Sequence, residues 1–458
     1  MSLNRFLDVI AAISTPPGRS GIAVIRLSGQ DVLTIIAPFL SIKIFEPNTI
    51  KFSVFKTQEE VIDEVLVSYF KAPKSFTGED MVEINCHGNY VVAKKILNLL
   101  FQAGSRSAEP GEFTMRAMIN GKMDLVQAES VIDIIDAKTC VAAEVAGSHL
   151  QGILSVKIGE IRQTILDLVA HIEVHLDYPD EEEMLGSMQY LSVLETIILR
   201  IETLLASFSK GKIYKDGLVI AITGKPNAGK SSLFNKWLED NRAIVSDIPG
   251  TTRDTIEEWI ELDGIPIKLV DTAGVRVSED AIENLGIERT KEYLNRADIV
   301  LVMLDAKAGI DSSDELLLRK IEPNTTIFLI NKIDLVSADK VRDHILKMYP
   351  TADVFELSVL RDSGLEQFNM SLLKKIETLF QLENIQDDVI LNNERHQESL
   401  LKAKEAILKA TVSISEGTEE DCWVIDLKEA LVHLGQIVVQ DVSEEVLDNI
   451  FSRFCVGK

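Results

Sequence analysis

The chain has 458 residues, 46% hydrophobic and 26% charged, too long for one ordinary core and too apolar for wholesale disorder, so two or three folded domains are expected. Basic residues number 47 and acidic residues 72, a net charge of −25, and a chain of that sign repels nucleic acid on average. The excess is uneven: residues 1–120 carry 12 basic and 12 acidic groups, so any polyanion would dock locally.

Residues 1–121 mix short β-rich runs, at 22–27 and 65–69, with turn clusters at 15–21 and 105–111, the pattern of an α+β domain. From Asp124 toward Phe208, Val, Ile and Leu recur at three-to-four spacing with few breakers, which predicts bundle helices over residues 122–216. Residues 217–380 alternate short apolar strands with helical segments, the rhythm of a doubly wound α/β domain. Helical spacing returns within 381–458, between Asn392 and Phe454. The economical arrangement is an α/β domain inserted into a helical domain, because two separate half-bundles would each have too little core. The acidic clusters at 180–183 and 416–421 read as solvated turns. No apolar run reaches the roughly eighteen residues of a membrane helix, and the stretch 6–13 is short and broken by Asp8. Neither a span nor a secretory signal is expected. Cys86, Cys140, Cys422 and Cys455 lie far apart without a CxxC pair, which argues against a zinc site or disulfide framework and for a reducing cytoplasm.

Gly224-Lys225-Pro226-Asn227-Ala228-Gly229-Lys230-Ser231 stands between a strand-like run, 218–223, and a helix-compatible segment, the context of a P-loop. Backbone N–H groups from Asn227 to Ser232 would curl around phosphate oxygens at a helix N-terminus. Lys230 would reach the β- and γ-phosphates, and Ser231 would ligate Mg²⁺. Asp271-Thr272-Ala273-Gly274 ends a strand that follows an Asp263-Gly264 hairpin turn, which puts Asp271 near Mg²⁺ and the Gly274 N–H near the γ-phosphate. Asn331-Lys332-Ile333-Asp334 follows the strand 326–330. Asp334 can accept from guanine N1–H and N2–H₂, whereas adenine would leave a buried carboxylate unpaired, so the base is expected to be guanine. Ser358-Val359-Leu360 sits where a base-contacting loop belongs.

Between these motifs, Asp247-Ile248-Pro249-Gly250-Thr251-Thr252-Arg253-Asp254 resembles the first switch of the Era, Der and MnmE (TrmE) group of bacterial GTPases. The resemblance implies nucleotide contacts from Ser246 through Thr252, with Thr252 as a switch ligand to Mg²⁺. Val275 follows Gly274, and an apolar side chain cannot orient an attacking water. By the same resemblance K⁺ assists, held by Asn227, Thr251 and the backbone carbonyls of Ser246 and Ile248, and Glu283 orients the water.

Outside this segment, Thr15-Pro16-Pro17-Gly18-Arg19-Ser20-Gly21, Ser75-Phe76-Thr77-Gly78-Glu79-Asp80, His87-Gly88, Pro110-Gly111-Glu112-Phe113 and the final Phe454-Cys455-Val456-Gly457-Lys458 resemble the MnmE family alone, so the likeness spans nearly the whole chain. It implies that Arg26, Glu83, Lys122 and Lys458 contact a 5-formyl- or methylene-tetrahydrofolate. That is chemically sensible: a pterin offers an amidine edge to a carboxylate, and the glutamate tail suits Arg or Lys. It further implies a cytoplasmic homodimer joined through the N-terminal domains. Its GTP hydrolysis would drive carboxymethylaminomethyl or aminomethyl addition at C5 of the wobble uridine of tRNA. The FAD- and NADH-dependent MnmG would be its partner, in a heterotetramer or larger complex. A ribosome-assembly GTPase and a signalling or scaffold switch remain the alternative readings. Cys455, close to Lys458, is either a nucleophile activated by that cation or a buried small apolar residue. Cys86 reads as structural, since its neighbour His87 points to the opposite face of a strand. His171 and His175 share a helical face without a third ligand and read as a packed or solvated pair.

Overall fold

The computed structural model describes residues 8–178, 186–240, 257–271, 297–319, 321–380, 389–438 and 444–458. They form two compact units, one made of residues up to 132, 149–194 and 402 onward, the other of 133–148 and 195–401. Among the described residues no helix is long and apolar enough to cross a membrane.

The first unit opens with β1 (Ile10–Ile13), β2 (Arg19–Ser28), α1 (Val32–Ile36), β3 (Thr49–Lys56), β4 (Val61–Phe70), β5 (Met81–Asn89), α2 (Tyr90–Gln102) and β6 (Arg106–Ser107). The strands form one sheet in the order β3-β4-β5-β2-β1-β6, antiparallel except for the β1/β6 pair. Alternation along β2 sends Ala23, Ile25 and Leu27 into a core with Val65, Val67, Val82 and Ile84, and α2 covers that core with Ala93, Ile96 and Leu100. Arg26 therefore faces the other side. Residues 19–21 belong to strand β2, not to the turn expected at 15–21; a register shift between Arg19 and Ile22 absorbs the irregularity. Likewise Arg106 and Ser107, expected in a turn, pair with Ile10 and Ala11.

Helices follow: α3 (Glu112–Ile119), α4 (Leu125–Asp136), α5 (Cys140–Leu150), α6 (Ile153–Asp177) and α7 (Ser187–Ala206), with α13 (Glu394–Glu416), α14 (Glu420–Val438) and α15 (Glu444–Ser452) returning after the insertion. In the first unit α6 packs on α14. Tyr190 is buried there between His171, whose Nδ1 lies 2.8 Å from the Tyr190 hydroxyl, and Trp423. The packed reading of His171 therefore holds. Of the acidic cluster expected as a turn at 416–421, only residues 417–419 connect helices: Glu416 ends α13, and Glu420 and Asp421 begin α14, where the helix dipole favours acidic groups.

The second unit contains α8 (Phe208–Asp216), β7 (Leu218–Thr223), α9 (Lys230–Asp240), β8 (Glu257–Leu262), β9 (Ile265–Asp271), β10 (Ile299–Asp305), α10 (Ser312–Leu318), β11 (Thr326–Asn331), α11 (Asp339–Met348), β12 (Asp353–Glu356) and α12 (Leu365–Phe380). Its sheet runs β12-β11-β10-β7-β9-β8, parallel except for β8. The continuous apolar runs of β10 and β11 are buried because both faces are covered, α9 and α12 on one side and α10 and α11 on the other. The Asp263-Gly264 hairpin is as expected, both residues having positive φ (51° and 80°). The fold is thus an α+β N-terminal domain, a helical domain split in sequence and an inserted Ras-like α/β domain.

An ion network buried at Arg116 and Glu112 ties the first sheet to α3. Arg116 lies 2.9 Å from Glu112, 2.9 Å from Asp8 and 3.1 Å from Glu79, and Arg106 lies 2.6 Å from Glu112. Burial alone would raise the pKa of Glu112, but hydrogen bonds from Arg106, the Glu109 N–H and Arg116 hold it below the ordinary carboxylate range. A depressed folded pKa gives stability that is complete above the unfolded value, near 4, and lost as pH falls through the folded value. Thermal melts should therefore be level from neutrality to about pH 5 and decline below about pH 4. Glu112→Gln should cost about 3–5 kcal/mol at neutral pH, by leaving Arg116 short of a partner, and should flatten the acid decline. A parental acid slope in that variant would show that the carboxyl carries none of it.

Candidate functional site

β7 ends at Thr223 and the chain curls through Gly224, Asn227 and Gly229, with φ of 136°, 64° and 111°, before α9 starts at Lys230. Two of these positions admit only glycine. A Cβ on Gly224 would lie 2.2 Å from the Met303 carbonyl oxygen, and one on Gly229 would lie 2.1 Å from Asn331 Nδ2. Lys230 is buried, and its Nζ donates to the carbonyls of Gly224 and Lys225, each at 2.6 Å. The lysine expected to reach phosphate thus lies back on its own loop, from which a phosphate would draw it.

Three loops converge on this curl through one side chain. Asn331, the last residue of β11, is buried; its Nδ2 donates to the Ala228 carbonyl (2.8 Å) and its Oδ1 accepts from the Val359 N–H (3.1 Å). Asn331, expected to contact nucleotide, also braces the phosphate loop against the Ser358-Val359-Leu360 loop. Lys332, at φ 67°, turns back so that Nζ reaches the Asn227 carbonyl (2.7 Å) and Asp305 Oδ2 (2.6 Å). Burial works to raise the Asp305 pKa, but Lys332 and the N–H groups of Lys307 and Ala308 pull it below the usual carboxylate range. Ser358 Oγ donates to Asp334 Oδ1 at 2.7 Å.

These loops bound a cavity of about 750 Å³ whose wall includes Asn227, Gly229, Lys230, Ser231, Ser232, Asn331, Lys332, Asp334, Ser358, Val359 and Leu360. All were expected there; Ala228 is buried beneath them. One expectation needs correcting: Asp334 is exposed, not buried, so the desolvation that would punish a wrong base must come from the bound base itself. Asn235, Lys236, Glu239, Leu335 and Asp362 also line the cavity and were missed. The first three follow Ser231 and Ser232 at helical spacing and were open to sequence reasoning. Asp362 is brought in by an ion pair with Lys236 at 3.0 Å, a long-range contact without a sequence signal. Asp271 ends β9 with its backbone beside Ile222. Ser246, Asp247, Ile248, Pro249, Gly250, Thr251, Thr252, Thr272, Ala273, Gly274, Val275 and Glu283 lie outside the described residues, as does the acidic cluster at 180–183.

In the first unit Arg26 pairs across the sheet with Glu83. Its Nε and Nη2 both donate to Glu83 Oε1, at 3.0 and 2.8 Å, so Oε2 takes neither contact. The guanidinium lies 5.4 Å from the Phe76 ring centre and 5.7 Å from that of Phe113, a cation–π arrangement on both rings. The Phe113 backbone N–H donates to the Lys458 carbonyl (3.2 Å), Ser14 Oγ donates to the Gly457 carbonyl (3.1 Å), and Val456 bridges to Pro110. Val456 and Lys458 are therefore tied to the segment whose aromatic ring supports Arg26. Lys122 Nζ donates to the Pro73 carbonyl (3.1 Å), on the loop that carries Phe76. Phe76 and Phe113 stand in motifs quoted from the sequence but were given no role there as supports of the arginine. Cys455 is exposed, so its reading as a buried apolar residue fails. Cys86 is buried, its thiol pushed up to about 11 by burial and by Asp63. His87 stands exposed on the other face, 2.7 Å from Asp63.

Models of known families match two stretches: GTP-binding protein TrmE N-terminus over residues 9–122 and MnmE helical domain over residues 125–455. The tRNA modification GTPase MnmE of Clostridioides difficile is 41% identical over 460 residues, covering 98% of this chain and 99% of that protein. The protein of the same name from Carboxydothermus hydrogenoformans is 43% identical over the same shares. Among solved structures, Aquifex aeolicus Era bound to GDP·AlF4⁻ aligns at 26% identity over 42% of this chain and 67% of that one, with a TM-score of 0.28. Likeness of this degree to full-length relatives, with two family models that together take in almost every residue, means that the chain belongs to the MnmE (TrmE) family of tRNA modification GTPases.

Proposed function

We propose that GTP hydrolysis by this enzyme drives carboxymethylaminomethyl or aminomethyl addition at C5 of the wobble uridine of tRNA. It would act in the cytoplasm with the FAD- and NADH-dependent MnmG, in a heterotetramer or larger complex, and with a folate one-carbon unit. The observation that carries this reading is the presence in one chain of both the braced cavity around Lys230 and Asp334 and the Arg26–Glu83 cluster to which the Cys-x-Gly-Lys terminus is tied. A ribosome-assembly GTPase would need only the first. The domain limits that go with this reading are 1–121 for folate binding and dimerisation, 122–216 and 381–458 for the helical domain, and 217–380 for the GTPase.

Hydrolysis here is electrostatic clamping, with no covalent step. Ser231 lies on the cavity wall at the N-terminus of α9, a fitting place for a Mg²⁺ ligand, with Thr252 as its partner. Asn227 also stands on that wall, and its own carbonyl is already held by Lys332, so its side-chain oxygen suits a K⁺ ligand beside Ser246, Ile248 and Thr251. When bound, the two ions offset charge on the transferring phosphoryl group. Lys230 adds its charge once it leaves its loop carbonyls, and Glu283 would orient the water. In the first unit Glu83 Oε2 suits the donor edge of a pterin, while Arg26, Lys122 and Lys458 suit the glutamate tail. Cys455 stays a candidate nucleophile on exposure alone. The homodimer is supported by the sheet face that carries Arg26. Ile50, Phe52 and Leu66 stand exposed on strands β3 and β4, an apolar row of the kind that a second copy covers.

The direct test is a reconstituted reaction of the protein with MnmG, folate and tRNA, scored for the modified nucleoside; unmodified tRNA with all components active would end the proposal. Hydrolysis should run several-fold faster in KCl than in NaCl, and Asn227→Ala should remove most of that difference; equal rates in the two salts would exclude K⁺. Asp334→Asn should weaken GTP on the order of a hundredfold or more and favour xanthosine triphosphate, so a retained preference for GTP would show that Asp334 does not read the base. Calorimetric titration with 5-formyl-tetrahydrofolate should give heat that Glu83→Gln and Arg26→Ala abolish, and the folate assignment falls if the parent gives none.

A further inference from the structure

One lysine of the phosphate loop pairs with two acids that lie outside every nucleotide motif. Lys225, the second residue of the loop, reaches out of it: its Nζ lies 2.5 Å from Asp311 Oδ1 and 2.5 Å from Asp314 Oδ2. Both carboxylates are fixed by the start of α10. Asp311 caps that helix by accepting from the N–H groups of Ser313 (2.9 Å) and Asp314 (3.2 Å), and Asp314 Oδ2 accepts from the Asp311 N–H at 3.1 Å. The Asp314 side chain is only 3% exposed, so its charge requires a partner, and Lys225 supplies one.

The backbone of the same lysine is equally engaged. Its carbonyl accepts Lys230 Nζ at 2.6 Å and the Ala228 N–H at 3.3 Å. Lys225 thus joins α10 to the start of the phosphate loop, as Lys332 joins Asp305 to its middle at the Asn227 carbonyl. Asp305 ends β10 and Asp311 precedes α10, so both anchors hang from one stretch of chain. When phosphate draws Lys230 off the Gly224 and Lys225 carbonyls, the loop loses two internal hydrogen bonds at the end where Lys225 sits. The side-chain tether survives that change.

We propose that Lys225 is a positioning residue of the phosphate cradle, clamped by Asp314 and Asp311 so that the loop keeps its curvature while Lys230 turns to the nucleotide. This rests on the assignment of residues 224–231 as the phosphate loop. A pre-shaped loop spares the nucleotide the work of ordering it, so the loss on breaking the clamp falls first on affinity.

The test uses full-length protein, fluorescently labelled GDP and steady-state GTP hydrolysis. Lys225→Met and Asp314→Asn, the latter retaining a capping oxygen, should each weaken GDP about fivefold or more. KM for GTP should rise with it, kcat should fall by less, and the melting temperature should move by no more than about 2 °C. Lys225→Arg should restore the parental affinity, and the double variant should be no weaker than the worse single variant. Parental affinity in Lys225→Met and Asp314→Asn would overturn the proposal. So would a loss that tracks melting temperature and is not restored by arginine, because that is a folding defect. Lys230→Ala separates the two levels: if it binds GDP like the parent, the loop assignment itself fails, whereas its loss alongside unaffected Lys225 variants sinks only the positioning role.

Discussion

One buried amide sets the spacing of the loops that make the nucleotide cavity. The Ala228 carbonyl and the Val359 N–H belong to segments about 130 residues apart in sequence, and each must find a partner on being buried. Asn331 serves both because an amide donates with one atom and accepts with the other. An aspartate at that position could not donate to Ala228, and an alkyl side chain would orphan both groups at about 1–3 kcal/mol each. The brace also explains its neighbour: the Asn331 amide occupies the space where any Cβ on residue 229 would fall. Gly229 and Asn331 specify each other, and the width of the cavity follows from that contact.

The first unit separates its chemistry from its core by strand alternation. Ile25 and Leu27 are fully buried on one face of β2, so Arg26 between them must project from the other. There it meets Glu83 on the neighbouring strand and the rings of Phe76 and Phe113. An arginine so placed is weakly hydrated, pre-oriented and still partly exposed. The ties from residues 456 and 458 to Pro110 and Phe113 bring two distant parts of the chain to the same support, so changes at the C-terminus should be felt at the arginine through the Phe113 ring.

Much of this was legible because the relevant residues are contiguous or periodic. The phosphate loop, the Asp263-Gly264 hairpin and the strands flanking them are local, and each local preference agrees with the fold. The helical domain was legible from three-to-four spacing. What could not be read were pairings between distant residues that no local rule selects: Lys225 with Asp314, Lys236 with Asp362, Phe113 with Lys458. Position along the chain also says nothing about exposure, which is why Asp334 was expected to be buried and Cys455 was left undecided between buried and exposed. At residues 19–21 the glycine and serine content suggested a turn, and a strand irregularity used them instead.

The pairings that sequence concealed also resolve a difficulty posed by composition, since a chain with a net charge of −25 must receive a triphosphate. Around the cavity the carboxylates are matched locally: Asp305 by Lys332, Asp311 and Asp314 by Lys225, Asp362 by Lys236. Each lysine offsets negative charge that would otherwise repel phosphate over the few ångströms where screening by salt is weakest. Asp334 is held differently, by the neutral hydroxyl of Ser358. A hydroxyl orients a carboxylate without cancelling its charge, so that charge stays available to the N–H donors of a guanine. Asp305, Asp311, Asp314 and Asp362 thus face lysines, whereas Asp334 faces a hydroxyl and keeps its charge for a base.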